Sequence, residues 1–287
     1  MKKLSLFIIT FMICFQSNQV YAQFGEPEVE EKETPRNLYD EGYNVGFGFN
    51  LALTDFGLGV GGQLRVGLGP YTEGIATLKI AGLKDPTEQT FTDFLGYRTI
   101  PEKYQRVIAV PFYVGLKKRF FARAISDSFR PYASLSAGPT FAFSYSYFKD
   151  YNENGFREND GRIYPIVEPV NDIFTGWNNS KTHWGLGGEF VLGIDFGENF
   201  ANLSSIQFGY TMNYFSDGIQ VLEPCQPDLN RINQAPINPC GLGVDYAQVL
   251  VPDGGNVSIA QAPLEQANDP RKYFGSAQIS FVFGWMW

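Results

Sequence analysis

Histidine is almost missing from this chain: His183 is the single one in 287 residues, beside three cysteines and four methionines. So few imidazoles and thiols cannot supply the ligand sets of structural zinc or most transition-metal centres. No run of about 18 apolar residues occurs after the first segment, which excludes a membrane-spanning helix. Positive charge is the minority sign, 22 Lys and Arg against 30 Asp and Glu, so nucleic acid is not an expected partner. No internal repeat recurs at solenoid spacing.

What is present begins at the amino terminus. Met1-Lys2-Lys3 is positive, Leu4 to Phe15 is apolar, and Val20-Tyr21-Ala22 offers a small residue for cleavage. Residues 1–22 therefore read as a secretory signal peptide, its apolar run too short to span a bilayer. Cys14 sits inside that run, which does not resemble a lipoprotein cleavage site. Removing Lys2 and Lys3 leaves 20 basic against 30 acidic side chains. Residues 23–42, with Glu26, Glu28, Glu30, Glu31 and Glu33 beside Pro27 and Pro35, read as an acidic, flexible periplasmic leader.

From Tyr43 the pattern has a period of two. Tyr43, Val45, Phe47, Phe49, Leu51 and Leu53 alternate with small or polar residues, and seven further segments do the same. In a strand, alternate side chains point to opposite faces. Leu135, Phe141 and Phe143 oppose Ser134, Ser136, Gly138 and Thr140; Trp184, Leu186 and Phe190 oppose Gly185, Gly187 and Glu189. A soluble sandwich also alternates, but covers its polar face with long side chains. Here that face is mainly Gly, Ser and Ala, which fits the cramped interior of an eight-stranded barrel. The apolar face, with Tyr and Trp at segment ends, fits lipid and its interfacial girdles. Backbone groups in lipid find no water, so strands there must close into a ring. The expectation is an all-β, eight-stranded, antiparallel, up-and-down transmembrane β-barrel over residues 43–287.

Loop lengths are asymmetric. Connections near Pro70, Ala124 and Asn199 are short, whereas those near 83–105, 148–181 and 217–272 are long; the turn at Asp55 is tight. With both termini in the periplasm, every long loop lies outside, as in the outer membrane of a Gram-negative bacterium.

The chain ends in "ISFVFGWMW", whose Phe281, Phe283, Trp285 and Trp287 share one face. This segment resembles the terminal-strand signal read by the barrel assembly machinery. With "VPFYVGLKKRF" and "RPYASLSAGPTFAF", the chain resembles small OmpA-type outer-membrane barrel proteins of the kind common in Bacteroidota. The resemblance implies a cell-envelope protein without a catalytic motif. No cell-wall-binding domain is expected after the last strand, unlike full-length members.

Several residues carry candidate chemistry. Arg65, Lys79 and Glu189 fall on the inward face, where unpaired charge is costly, so Glu189 is expected to pair with Arg65 or Lys79; charges solvated by lumen water are the alternative. His183 and Glu189 are six residues apart and so lie about 20 Å apart along a strand. They cannot touch, and with Ser180 they form no expected catalytic set; the chain is read as not an enzyme. Asp150, Asn152, Asn154 and Glu158, with Gly155 and Asp160, resemble the start of a calcium loop, but Gly161 stands where the last carboxylate belongs. Calcium is the only cofactor considered. Cys225 and Cys240 share one long loop in an oxidising compartment and are expected to form a disulfide, two free thiols being the alternative. The expected function is structural or interactive, through outer loops with an unknown ligand and with outer-membrane lipid around the belt. A small-solute channel and a lipid-modifying enzyme are the alternatives.

Overall fold

The computed structural model describes residues 36–287, apart from 39, 56, 93–95, 97, 101, 123–124, 126–127, 149–152, 157–173, 175 and 254. Eight strands form the barrel: β1 Val45–Thr54, β2 Gly57–Gly69, β3 Thr72–Leu83, β4 Gln105–Arg119, β5 Phe129–Ser146, β6 Lys181–Phe196, β7 Asn202–Ile219 and β8 Arg271–Met286. Each pairs antiparallel with its neighbours in sequence, and β1 pairs with β8 to close the ring. The all-β, eight-stranded closed barrel expected from the alternation is what forms. No described helix is long and apolar enough to cross a membrane.

The period of two sorts the residues cleanly. Phe49, Leu51, Leu78, Val114, Leu135, Leu186 and Phe208 are exposed on the outside, while Asn50, Gln63, Thr77, Ser136 and Gln207 are buried inside. Leu135 is 68% exposed, Trp184 70% and Leu186 65%, in a continuous apolar belt far larger than a water-soluble monomer tolerates. The core of this protein is thus its polar lumen. Glycine makes room in it: a Cβ on Gly187 would lie 2.2 Å from Tyr113 Oη, and one on Gly193 would lie 2.5 Å from Tyr132 Cζ. Those two tyrosines fill space that the opposite wall vacates.

Strands also occur where only loop was expected. Within 217–272, β7 continues to Ile219, and Cys225–Pro227, Tyr246–Asp253 and Asn256–Gln266 build a three-stranded sheet with Asn256–Gln266 in the middle. A two-residue pair, Phe91–Thr92 with Arg98–Thr99, lies in the loop after β3. Within residues 36–42, placed by sequence in the flexible leader, Asn37 and Leu38 are buried, while Arg36, Asp40 and Gly42 are exposed. Leu38 is buried with Phe200, Leu203 and Met286, against Tyr43. The leader reads as polar on average, but one leucine supplies an apolar anchor for the barrel end. Residues 1–35 lie outside the described residues.

Candidate functional site: a filled lumen and its loop cap

The lumen is crossed by polar layers. Nearest the end with short turns, Arg65 on β2 donates to Asp195 on β6 at 3.1 Å, to Ser205 on β7 at 2.9 Å and to Gln63 at 2.9 Å. Lys117 on β4 donates to Glu73 at 2.9 Å and also to Asp195. Its ammonium sits 4.2 Å from the centre of the Tyr132 ring. Two cations and two anions therefore neutralise one another in one buried layer, the arrangement that offsets desolvation of buried charge. Further along, Lys79 on β3 donates to Glu189 on β6 at 2.6 Å, and Gln278 on β8 donates to the same carboxylate. Beyond it, Asn213 Oδ1 accepts from Tyr113 at 2.5 Å and Thr140 at 2.7 Å.

Of the charges singled out from sequence, Glu189 and Lys79 meet, whereas Arg65 pairs with Asp195. Asp195, Lys117 and Glu73 complete the network and were not singled out, although Asp195 and Lys117 lie on the inward face. Which inward residues meet depends on the stagger of strands far apart in sequence, and alternation carries no information on that stagger.

Both ends of the lumen are apolar. Leu83, Val107, Ala109, Ala142, Phe215, Ile219, Val221 and Phe274 form a buried cluster at the long-loop end. Val221 belongs to the last loop, which crosses the mouth by pairing with the chain before β4: Tyr104 N and Gln105 N donate to Val221 O at 2.9 and 3.1 Å, and Glu223 N donates to Glu102 O at 2.7 Å. Lys103, in that crossing, is paired with Glu88 at 2.6 Å. Burial holds the Lys103 ammonium below the usual lysine value, only partly opposed by Glu88. At the other end, Leu38 and its neighbours close the barrel, and Arg119 donates to Arg36 O at 3.1 Å.

His183 lies on the inward face of β6 and meets neither Ser180 nor Glu189; its Nε2 is 2.9 Å from Ser144 Oγ on β5. Ser144 is fully buried, whereas His183 is half-buried. Of the calcium-type residues, Asp150, Asn152, Glu158 and Asp160 lie outside the described residues. Asn154 accepts from Phe156 N at 2.8 Å through its Oδ1, a local turn contact. No cluster of three metal-ligating side chains occurs among the described residues.

The long loops carry further exposed surface. The expected Cys225–Cys240 disulfide is formed. It packs with Ala247 and Leu264, and with Phe156, Leu242 and Val244, into a small core at the base of the three-stranded sheet. Past that base the Tyr246–Asp253 and Asn256–Gln266 hairpin exposes Leu250, Val257 and Ile259, with Leu250 directly opposite Ile259. Below it, a cleft of about 440 Å³ is lined by Val221, Asn268, Asp85 and Arg271, whose side chains pair at 3.3 Å.

No protein-family model matches the chain, and no curated protein matches it. Among solved structures it is similar to the outer membrane protein OprG from Pseudomonas aeruginosa, with 12% identity and a TM-score of 0.32 over 84% of this chain and 94% of that one. A likeness at that score assigns neither a family nor an activity.

Proposed function

We propose that this protein is an integral β-barrel of a Gram-negative outer membrane, with both termini periplasmic, acting as a structural or interaction protein through its outer loops. The observation that carries this is the inversion of the fold: an apolar exterior around a charged, hydrogen-bonded interior. Such a surface is unstable in water and matched to lipid. A lumen crossed by ion pairs, with a buried apolar cluster at each end, does not favour a small-solute channel. Closer kinship to OmpA-type barrels of Bacteroidota, and recognition of Phe281, Phe283, Trp285 and Trp287 by the assembly machinery, belong to the same reading and rest on residue pattern. The ring of rims fits it: Tyr214 and Tyr273 meet at 4.9 Å at the loop end, while Phe129 and Phe196 meet at 5.7 Å at the turn end.

Fractionation tests the proposal. The protein should sediment with the outer membrane and migrate faster on gels unheated than boiled. Recovery in the soluble periplasm without detergent overturns it, and stable conductance steps in a planar bilayer would favour the channel.

A further inference from the structure

The aromatic residues at the loop end are not an even girdle. On the outer side of β5 and β6 they form a strip that continues past the belt. Phe141 lies 5.1 Å from Trp184 and 6.0 Å from Phe143. Trp177 lies 6.3 Å from Phe143, 6.0 Å from Tyr145 and 5.4 Å from Phe174. In register Tyr214 stands beside Leu186, so Trp184 and everything beyond it lie on the loop side of the Tyr214–Tyr273 pair. Trp177 opens a short turn, Trp177–Asn179, held against the end of β5. The far end of this strip is exposed: Trp177 is 45% exposed, and Phe174 68%.

A girdle needs only to meet headgroups at one level, and two features exceed that need. The first is a row of rings in edge-on or tilted contact, with Trp177 and Phe174 exposed. The second is what surrounds them. Asn178 and Asn179, both exposed, follow Trp177 directly and make no side-chain hydrogen bond among the described residues. Each amide offers two donors and an acceptor. An aromatic face attracts weakly positive C–H groups through its quadrupole. A sugar ring presents C–H groups on one face and hydroxyls around its edge, so ring faces flanked by free amides match it on both counts. Lys181 adds one cation, too little to select an anion alone.

Resting on the outer-membrane reading, we infer that this strip binds the saccharide headgroup of a glycolipid in the outer leaflet. Continuity identifies the occupant. The strip joins the belt without a break at Trp184 and Leu186, so a molecule that spans both carries acyl chains for the belt and sugar for the rings. A free polysaccharide has no use for the belt half, and a phospholipid has none for the ring half.

The test uses the full-length protein in phosphatidylethanolamine nanodiscs, with core-bearing lipopolysaccharide or lipid A alone added, and glycolipid retained per protein read by mass spectrometry. The wild type should retain the core-bearing form at least about tenfold better than lipid A alone. Trp177→Ala should lose most of that preference, and Asn178→Ala with Asn179→Ala should lose part of it, with the unheated gel mobility unchanged. Trp177→Phe, which keeps a ring, should restore it if Trp177→Ala fails to fold. Equal retention of both glycolipids, undiminished preference in Trp177→Ala, or equally strong capture of delipidated core oligosaccharide each overturns the inference. A wild type that does not enter nanodiscs as a heat-modifiable barrel instead overturns the outer-membrane reading beneath it.

Discussion

Glu189 and Lys79 illustrate what a buried charge requires of its neighbours. Removing one partner leaves the other charge unpaired in a closed interior, which costs more than the pair itself contributes. Lys79→Met should therefore destabilise the folded barrel by about 3 kcal/mol, and adding Glu189→Gln to it should recover part of that loss, both read from urea unfolding in vesicles. Asn213 and Asn50 make a second contrast. Asn213 accepts two hydrogen bonds across the lumen, whereas the amide of buried Asn50 has no partner among the described residues. Asn213→Leu should cost about 2 kcal/mol by removing the acceptor that Tyr113 and Thr140 share, leaving them only their mutual 3.4 Å contact, while Asn50→Val should be neutral or stabilising in the same assay. In the loop crossing, Lys103 has its affinity for a proton lowered by burial. The unfolded chain then binds that proton more tightly, so this group's contribution to stability rises as pH climbs towards the ordinary lysine value of 10.5. Thermal midpoints measured over that alkaline range should rise less in Lys103→Met than in the wild type.

At the scale of elements, the disulfide belongs to the loop and not to the barrel. Cys225 and Cys240 are 15 residues apart, and their link restrains the open loop by about 3 kcal/mol in a chain-entropy account. Reduction should leave unheated gel mobility unchanged and accelerate protease cleavage between 228 and 245; a lost mobility shift would show that the bridge supports the barrel instead. All eight barrel strands were legible in the sequence, because an apolar exterior and a narrow polar lumen make each face chemically uniform. The loop sheet was not. Val249, Leu250, Val251 and Pro252 are apolar on both faces, and Pro252 and Pro263 argue against strand, so the period of two vanishes there. The signal that could have found it is Asp253-Gly254-Gly255-Asn256 between two apolar runs, a hairpin turn sequence. Leu38 was illegible for another reason: a single apolar residue in an acidic stretch has no period at all.

Across the whole molecule, the barrel walls are tied together by Arg65, Lys117, Lys79 and Tyr113, and buried apolar clusters around Leu38 and Val221 lie at its two ends. In the proposed reading, function lies on the surface beyond the belt. That surface holds the apolar hairpin tip at Leu250, Val257 and Ile259 and the aromatic strip at Trp177. Both lie on the loop side, and the account requires that side to face the exterior. The most direct measurement inserts an epitope at the hairpin tip, between Gly255 and Asn256, and stains intact cells with the matching antibody. The account predicts staining before the outer membrane is breached, on a protein that still shows heat-dependent mobility. Staining that appears only after permeabilisation would contradict it.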